Sequence, residues 1–220
     1  MPTAPCSGSP YRIGLTGNIA TGKTTVGRML SALRAEVIDA DQVAHAVISP
    51  DGAAYSSVVA AFGDEIVADD GTIDRQRLGG IVFSDPAALR RLEALVHPPV
   101  IEAVERRIVA SQAQVVVVEA IKLLESGMAD DYDAIWVTTC SEATQLHRLM
   151  VYRGLDRDGA LHRIRVQPDQ AEKLSRADVV INTEGTIEAT RLRVTTAWLK
   201  TVHGACGTHT ANGTQVPADL

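Results

Sequence analysis

Gly17-Asn18-Ile19-Ala20-Thr21-Gly22-Lys23-Thr24 fits the pattern GxxxxGK[ST] at every specified position, and each residue type in it has work to do at a polyphosphate. Glycines let the backbone curl with its N–H groups turned inward, and the helix that follows presents the positive end of its dipole. Lys23 reaches the β- and γ-phosphates, and the Thr24 hydroxyl ligates Mg²⁺. A β-branched run from Arg12 to Thr16 precedes the loop, and a helical pattern of Val26, Met29, Leu30 and Leu33 follows it. Pattern and context agree on a nucleoside triphosphate site. Two acids come next, in Val37-Ile38-Asp39-Ala40-Asp41. Ligands of open α/β sheets sit at the carboxyl ends of strands, where one of these acids could align an attacking hydroxyl for in-line displacement at the γ-phosphate. The two carboxylates share a side only if the strand continues through Asp41. The competing role is a helix N-cap at Asp41 for the stretch that starts at Gln42.

Positioning such groups requires a sheet. Short β-branched runs at Arg12 to Thr16, Glu36 to Asp39, Val115 to Val118, Ala134 to Thr138 and Val179 to Ile181 alternate with helical patterns, which predicts a five-stranded parallel sheet with helices on both faces, an α/β fold. The unbroken valines at 115 to 118 predict a central strand buried on both sides. Some seventy residues separate the second strand from the third, far more than a crossover needs, so a helical lobe is expected at 46–110. Its apolar stripes fall at Val43, Ala46 and Val47, at Val58, Val59 and Phe62, at Leu89, Leu92, Leu95 and Val96, and at Val100, Ile101, Val104 and Ile108. Pro98-Pro99 is expected to separate the last two helices, and Asp69-Asp70-Gly71 to form a turn. Another helical stretch runs from Ser141 to about Ala177, with breaks expected at Gly154 and Gly159. Trp136 and Trp198 read as core. The core of the chain is expected at 11–45 and 111–202, with poorly ordered tails at 1–10 and 203–220, where Pro, Ser, Gly, Thr and Ala replace any apolar period.

The chain has 220 residues, 45% hydrophobic and 22% charged, with a mean hydropathy of +0.04. That is the make-up of a soluble globular protein, and no apolar run is long enough to span a bilayer. A net charge of −6 argues against general nucleic-acid binding. Cys6, Cys140 and Cys206 are odd in number and never form CxxC, which fits a reducing compartment, and the stretch before Tyr11 lacks the apolar core of a signal peptide. A cytoplasmic enzyme is expected. Between Glu142 and Arg176, seven Arg and Lys face five Asp and Glu, so basic charge gathers in one segment of an acidic chain.

The P-loop after Ile13-Gly14-Leu15-Thr16, the run Val37 to Asp41, Phe83-Ser84-Asp85-Pro86 through Leu92-Glu93 to His97-Pro98, Leu123-Leu124-Glu125, Gln145-Leu146 with Arg148-Leu149, Gln167, and Ala177 to Asn182 are ordered landmarks. Together they resemble the dephospho-coenzyme A kinase family over about residues 11–200. The resemblance implies ATP-dependent phosphorylation of the ribose 3′-hydroxyl of dephospho-CoA, with Mg²⁺, and a P-loop core, a helical substrate lobe and a lid at about 141–170. It makes Asp41 the catalytic carboxylate, Lys23 the phosphate clamp and Arg148 a lid arginine, and it puts Gly17 to Thr25 and Asn182 at ATP. On the acceptor side it puts Asp39 and Asp41, with His45 where the family usually has Arg. Lys122 is either an extra cation or a snorkelling chain. His97 is either a hydrogen-bonded structural residue or a ligand of the dephospho-CoA ribose or tail. Glu119 is the first choice to share Mg²⁺ with Thr24. Three positions depart from the family. Asn18 stands where Gly is usual, a constraint if that residue needs positive φ, although Asn tolerates it better than most. Pro-Leu-Leu-Phe-Glu becomes Ile121-Lys122-Leu123-Leu124-Glu125. The second lid arginine falls on Tyr152, with Arg153 one place and about 100° of helix later. The remaining alternatives are another nucleoside or nucleotide kinase of the same layout and a nucleotide-binding switch. Guanine-reading switches carry Asn-Lys-x-Asp after a late strand, where this chain has Asn182-Thr183-Glu184-Gly185.

Overall fold

A computed structural model describes residues 9–125 and 127–207. Five strands, β1 (Tyr11–Thr16), β2 (Glu36–Asp39), β3 (Val115–Glu119), β4 (Ala134–Thr139) and β5 (Val179–Asn182), form one sheet in the order β2-β3-β1-β4-β5, parallel throughout. Each expected strand is present to within a single residue at either end. The pleat sorts side chains into two cores. Val115 and Val117 join Ile13, Leu15, Trp136 and Ile181 on the face covered by α1 (Lys23–Ala32) and α9 (Ile187–Gly207). Val116 and Val118 join Ile135 and Val137 on the face that meets the inserted helices. All four valines are at most 5% exposed, and each such burial contributes roughly 1.5–3 kcal/mol.

Between β2 and β3 lie α2 (Ala40–Val47), α3 (Tyr55–Phe62), α4 (Arg75–Ser84) and α5 (Pro86–Ala110). The turn at 69–71 is present: Gly71 has φ 82 and the Asp70 carboxylate accepts from the Thr72 amide and hydroxyl. The double proline does not end a helix, because α5 continues through Pro98 and Pro99. Each proline costs one backbone hydrogen bond. The apolar residues on either side of the pair, Leu92, Leu95 and Val96 before it and Val100, Val104 and Ile108 after it, pack on the same core, and that shared burial outweighs the loss. After β4 come α6 (Glu142–Arg153), α7 (Arg157–Arg165) and α8 (Gln170–Ser175). Gly154, at φ 64, closes α6 as expected. Gly159 instead lies inside α7, where its amide donates to the capping Asp156; the second break comes after Arg165, before Pro168. Helix α9 runs to Gly207, five residues into the tail expected at 203–220, since extending a helix already nucleated adds a hydrogen bond for each residue fixed. Residues 1–8 and 208–220, the rest of the two expected tails, lie outside the described residues. Among the described residues, no helix is long and apolar enough to cross a membrane.

Asp39, Asp74, Asp85, Ser141, Asp156 and Asp169 accept backbone hydrogen bonds at the N-termini of α2, α4, α5, α6, α7 and α8. Helix α1 has no side-chain cap. Its first amides, among the donors that a helix leaves unpaired, stay available to an anion.

Candidate active site

Strand β1 delivers the chain into the loop at Gly17, whose φ of 149 suits glycine and where a Cβ would lie 2.3 Å from the Thr138 hydroxyl. Gly22, at φ 92, turns the chain into α1. The non-glycine residue in the left-handed region of this loop is Ala20, at φ 58, not Asn18, so the side chain at 18 imposes no backbone strain. The loop is held from inside: the Thr21 hydroxyl reaches the Asn18 carbonyl and the Thr138 hydroxyl, both at 2.7 Å. It is also held from the far side of the cleft. The Ile19 amide donates to Gln167 at 2.7 Å, Asn18 Nδ2 donates to the Pro168 carbonyl, and Gln145 donates to the Ile19 carbonyl.

Register places the acids beside this loop. Asp39 and Leu15 both pair with Glu119, so the ends of β1, β2 and β3 lie side by side. Glu119 is 6% exposed; its Oε1 accepts from the Thr24 hydroxyl at 2.8 Å and lies 3.9 Å from Lys23 Nζ. Burial raises the Glu119 carboxyl above its ordinary value, against the pull of Thr24 and Lys23. Burial also lowers the Lys23 ammonium, opposed by Glu119, Asp41 and Asp39.

The acid pair divides its roles. Strand β2 stops at Asp39, which caps α2 by accepting from the Gln42 amide at 3.0 Å. The capping role considered for Asp41 therefore belongs to Asp39, and Asp41 stands in the first helical turn instead of continuing the strand. Asp41 is exposed, yet neighbouring atoms still crowd its carboxyl. Crowding raises it above the ordinary carboxylate range, with Lys23 pulling the other way, Asp39 adding to the rise, and His45 and the Ile121 amide opposing it.

Beyond the loop opens a cleft of about 1070 Å³ between α1 and the helices α6 and α7. It is lined by Lys23, Arg148, Arg153 and Arg163 and by no carboxylate, although the chain as a whole carries −6. Low-dielectric walls bearing one sign of charge focus the field on an anionic ligand. Arg148 is anchored: it donates to the Ala20 carbonyl (3.0 Å), the Thr183 hydroxyl (3.0 Å) and the Thr183 carbonyl (2.7 Å). Arg153 and Tyr152 both line the cleft, so the one-residue shift leaves a cation there. Thr25 lines it too.

Other sequence candidates lie elsewhere. Asn182 accepts from the Glu184 amide at 2.7 Å, and its neighbour Thr183 lines the cleft in its place. His45 is exposed on α2, one turn after Asp41. His97 is half-buried within α5, away from the cleft lining. Lys122 pairs with Glu93 of α5, a tie between the loop after β3 and the inserted helices. Gln167 and Thr183 hold positions that sequence reasoning did not give them, while Arg163, one of the basic residues gathered in the 142–176 segment, does line the cleft. Gln167 stood out as a landmark without a role, and nothing local signals that Lys173 is 2% exposed.

The chain has clear relatives among known proteins. The family profile described as dephospho-CoA kinase matches residues 11–189. A dephospho-CoA kinase of Geobacter sulfurreducens is 44% identical over 191 residues, 86% of this chain and 97% of the relative, and one of Leifsonia xyli is 43% identical over 190 residues, 84% and 96%. The crystal structure of a Thermus thermophilus protein superposes with a TM-score of 0.78 at 31% identity, covering 88% of this chain and 98% of the other.

Proposed function

The chain belongs to the dephospho-CoA kinase family and uses ATP to phosphorylate the ribose 3′-hydroxyl of dephospho-CoA, the last step in making CoA; we propose that Asp41 is the residue that aims this hydroxyl. The observation that carries this reading is the division between the acids: Asp39 caps α2, which leaves Asp41 in the first turn of that helix, near enough to Lys23 for the two charges to act on each other. The Asp41 carboxylate accepts the hydrogen bond of the 3′-hydroxyl, and the alcohol oxygen attacks the γ-phosphorus in line. The bond to the β,γ-bridging oxygen breaks, ADP departs, and the hydroxyl proton passes to Asp41 and then to water. Lys23, the free amides of α1 and Arg153 stabilise the charge spread over the transferring group. Arg148, fixed to Ala20 and Thr183, holds the loop and the β5 end in register around the nucleotide.

Thr24 and Glu119 are hard oxygen donors 2.8 Å apart, a pair that suits Mg²⁺, which takes few protein ligands and completes its shell with water and phosphate oxygens. We assign the metal to them; when bound it neutralises charge across the β- and γ-phosphates. The inserted helices α2–α5 supply the acceptor side, with His45 following Asp41, and α6 and α7 act as the lid. The free thiol of Cys140 supports a reducing, cytoplasmic setting. A coupled ADP-release assay with dephospho-CoA, adenosine, AMP and water as acceptors tests the reading. Turnover with dephospho-CoA well above the other three is expected; activity with AMP or water and none with dephospho-CoA overturns it.

A further inference from the structure

Asn18, Ile19, Ala20 and Thr21 form a tight turn inside the loop, closed by the Thr21 amide on the Asn18 carbonyl at 3.3 Å. Its third residue, Ala20, has φ 58, while its second, Ile19, lies outside the left-handed region. That is the type II pattern, whose third position calls for glycine. Alanine is strained there, and turning the middle peptide over gives a type I turn in which alanine sits at negative φ without strain. Something must hold the middle peptide in place.

That peptide joins Ile19 to Ala20, and its carbonyl accepts from Gln145 Nε2 at 3.0 Å. Gln145 stands on α6 and is 6% exposed, a place that a leucine would fill with no polar group to satisfy. The flanking peptides are held too. The Ile19 amide, of the 18–19 peptide, donates to Gln167 at 2.7 Å, and the Ala20 carbonyl, of the 20–21 peptide, accepts from Arg148 at 3.0 Å. Gln145 and Arg148 lie one turn apart on one face of α6. In a trans peptide the N–H points opposite to the C=O, so a carbonyl turned to Gln145 leaves the Ala20 N–H turned away from it. Among the described residues that N–H has no hydrogen-bond partner, and Ala20 lines the cleft, which Gln145 does not.

We propose that Gln145 is a positioning residue for the triphosphate: by holding the Ile19 carbonyl it keeps the 19–20 peptide in its type II orientation and presents the Ala20 N–H to a phosphate oxygen. This rests on the loop being the seat of the triphosphate. Without the hold, the strain at Ala20 turns the peptide over, and a carbonyl oxygen replaces an N–H donor before the anion. The lid helix thereby sets the donors that the loop offers.

Gln145→Met keeps the length of the side chain and removes its donor. The readouts are Kd for the magnesium complex of β,γ-imido-ATP by calorimetry, KM for MgATP and KM for dephospho-CoA, in the parent and in an Ala20→Gly background. Loss of one hydrogen bond to a charged group is expected to raise Kd and KM for the nucleotide about tenfold, with KM for dephospho-CoA unchanged within about twofold. Glycine takes positive φ without strain, so against Ala20→Gly alone the same substitution should raise both by no more than about threefold. A merely structural role would give equal losses in the two backgrounds. A nucleotide KM within about twofold of the parent, or an undiminished loss with Gly at 20, overturns the proposal. Nucleotide binding that Lys23→Ala leaves intact overturns the reading of the loop instead. If Gln145→Met does not fold, Gln145→Ala, which crowds no neighbour and suits a helix, takes its place with the same readouts and limits.

Discussion

Asp41→Asn removes one charge and almost no volume, and the structure separates its effects on rate from its effects on the fold. A positioned base contributes about 10²–10⁴ in rate. The loose transition state of phosphoryl transfer needs more aiming than deprotonation, so kcat should fall by about 10², equivalent to about 2.7 kcal/mol of barrier. KM for MgATP should stay within about threefold, because Asp41 lies outside the loop of amides that holds the phosphates. The cap of α2 is untouched, since Asp39 and not Asp41 accepts from Gln42, and no capping loss of about 1 kcal/mol is expected. Stability should in fact rise at neutral pH. The folded protein raises the Asp41 carboxyl above its ordinary value of 3.8, so its stability contribution is fully present below that value and is lost as pH rises through the folded value. Asparagine carries no such penalty. The melting temperature of Asp41→Asn should exceed that of the parent at pH 7, and the two should converge below about pH 3.8. The acid limb of the parent kcat/KM profile, which reports the free enzyme, should lie above the ordinary carboxylate range and disappear in the variant. Coupled ADP release with dephospho-CoA and thermal melts across pH measure all of this. A variant with kcat within fivefold of the parent, or one that loses stability and ATP affinity together, refutes the reasoning.

Lys23→Ala should lower kcat at least 10²–10³-fold, the scale for losing one charge-stabilising donor, and weaken MgATP binding by calorimetry; near-normal turnover would move the catalytic phosphate site away from this loop. Asp39→Ala removes the side chain that caps α2 and should cost about 1 kcal/mol, or about 2–4 °C of melting temperature, with a smaller kcat loss than Asp41→Asn; a larger one would exchange the roles of the two acids. Arg148→Ala takes the guanidinium donor from the Thr183 carbonyl and leaves the Ala20 carbonyl with only the weak Cys140 thiol. It should lower the melting temperature by several degrees and raise KM for ATP more than it lowers kcat, whereas a pure kcat effect would make Arg148 a transition-state contact and not an anchor.

The strands could be read from sequence because each is a short β-branched run whose side chains find partners on both faces, and the loop because its residue types follow from phosphate chemistry. Where reading failed, a distant contact decided. Pro98-Pro99 looks terminal by local rules, yet Leu95 and Val104 bury against one core on either side of the pair and carry the helix through. Gly159 has a low helix propensity, but Asp156 caps the helix through its amide. Lys122 shows a cation but not its partner, Glu93, which stands 29 residues away in the sequence. Arg148 and Lys173 are single basic letters in a basic segment; that one is anchored to the loop and the other buried under Ile121 depends on β5 and the loop after β3.

The acid pair shows why a spacing that was easy to find did not settle its own meaning. As an extended strand, Asp39 and Asp41 would point together and compete for one hydroxyl. Ending β2 at Asp39 gives the first acid a helix to cap and turns the second into the first turn of that helix, where the positive end of the α2 dipole favours its charge. The surrounding walls still raise it, and the same crowding lowers Lys23. Each group is held partly against its charged form, and each opposes the other's shift. A triphosphate entering between the loop and the cationic wall brings negative charge to Lys23 and restores its preference for the ammonium. The charge that the site keeps at a cost is therefore best satisfied when the nucleotide is in place, which is when Asp41 has a phosphorus to aim at.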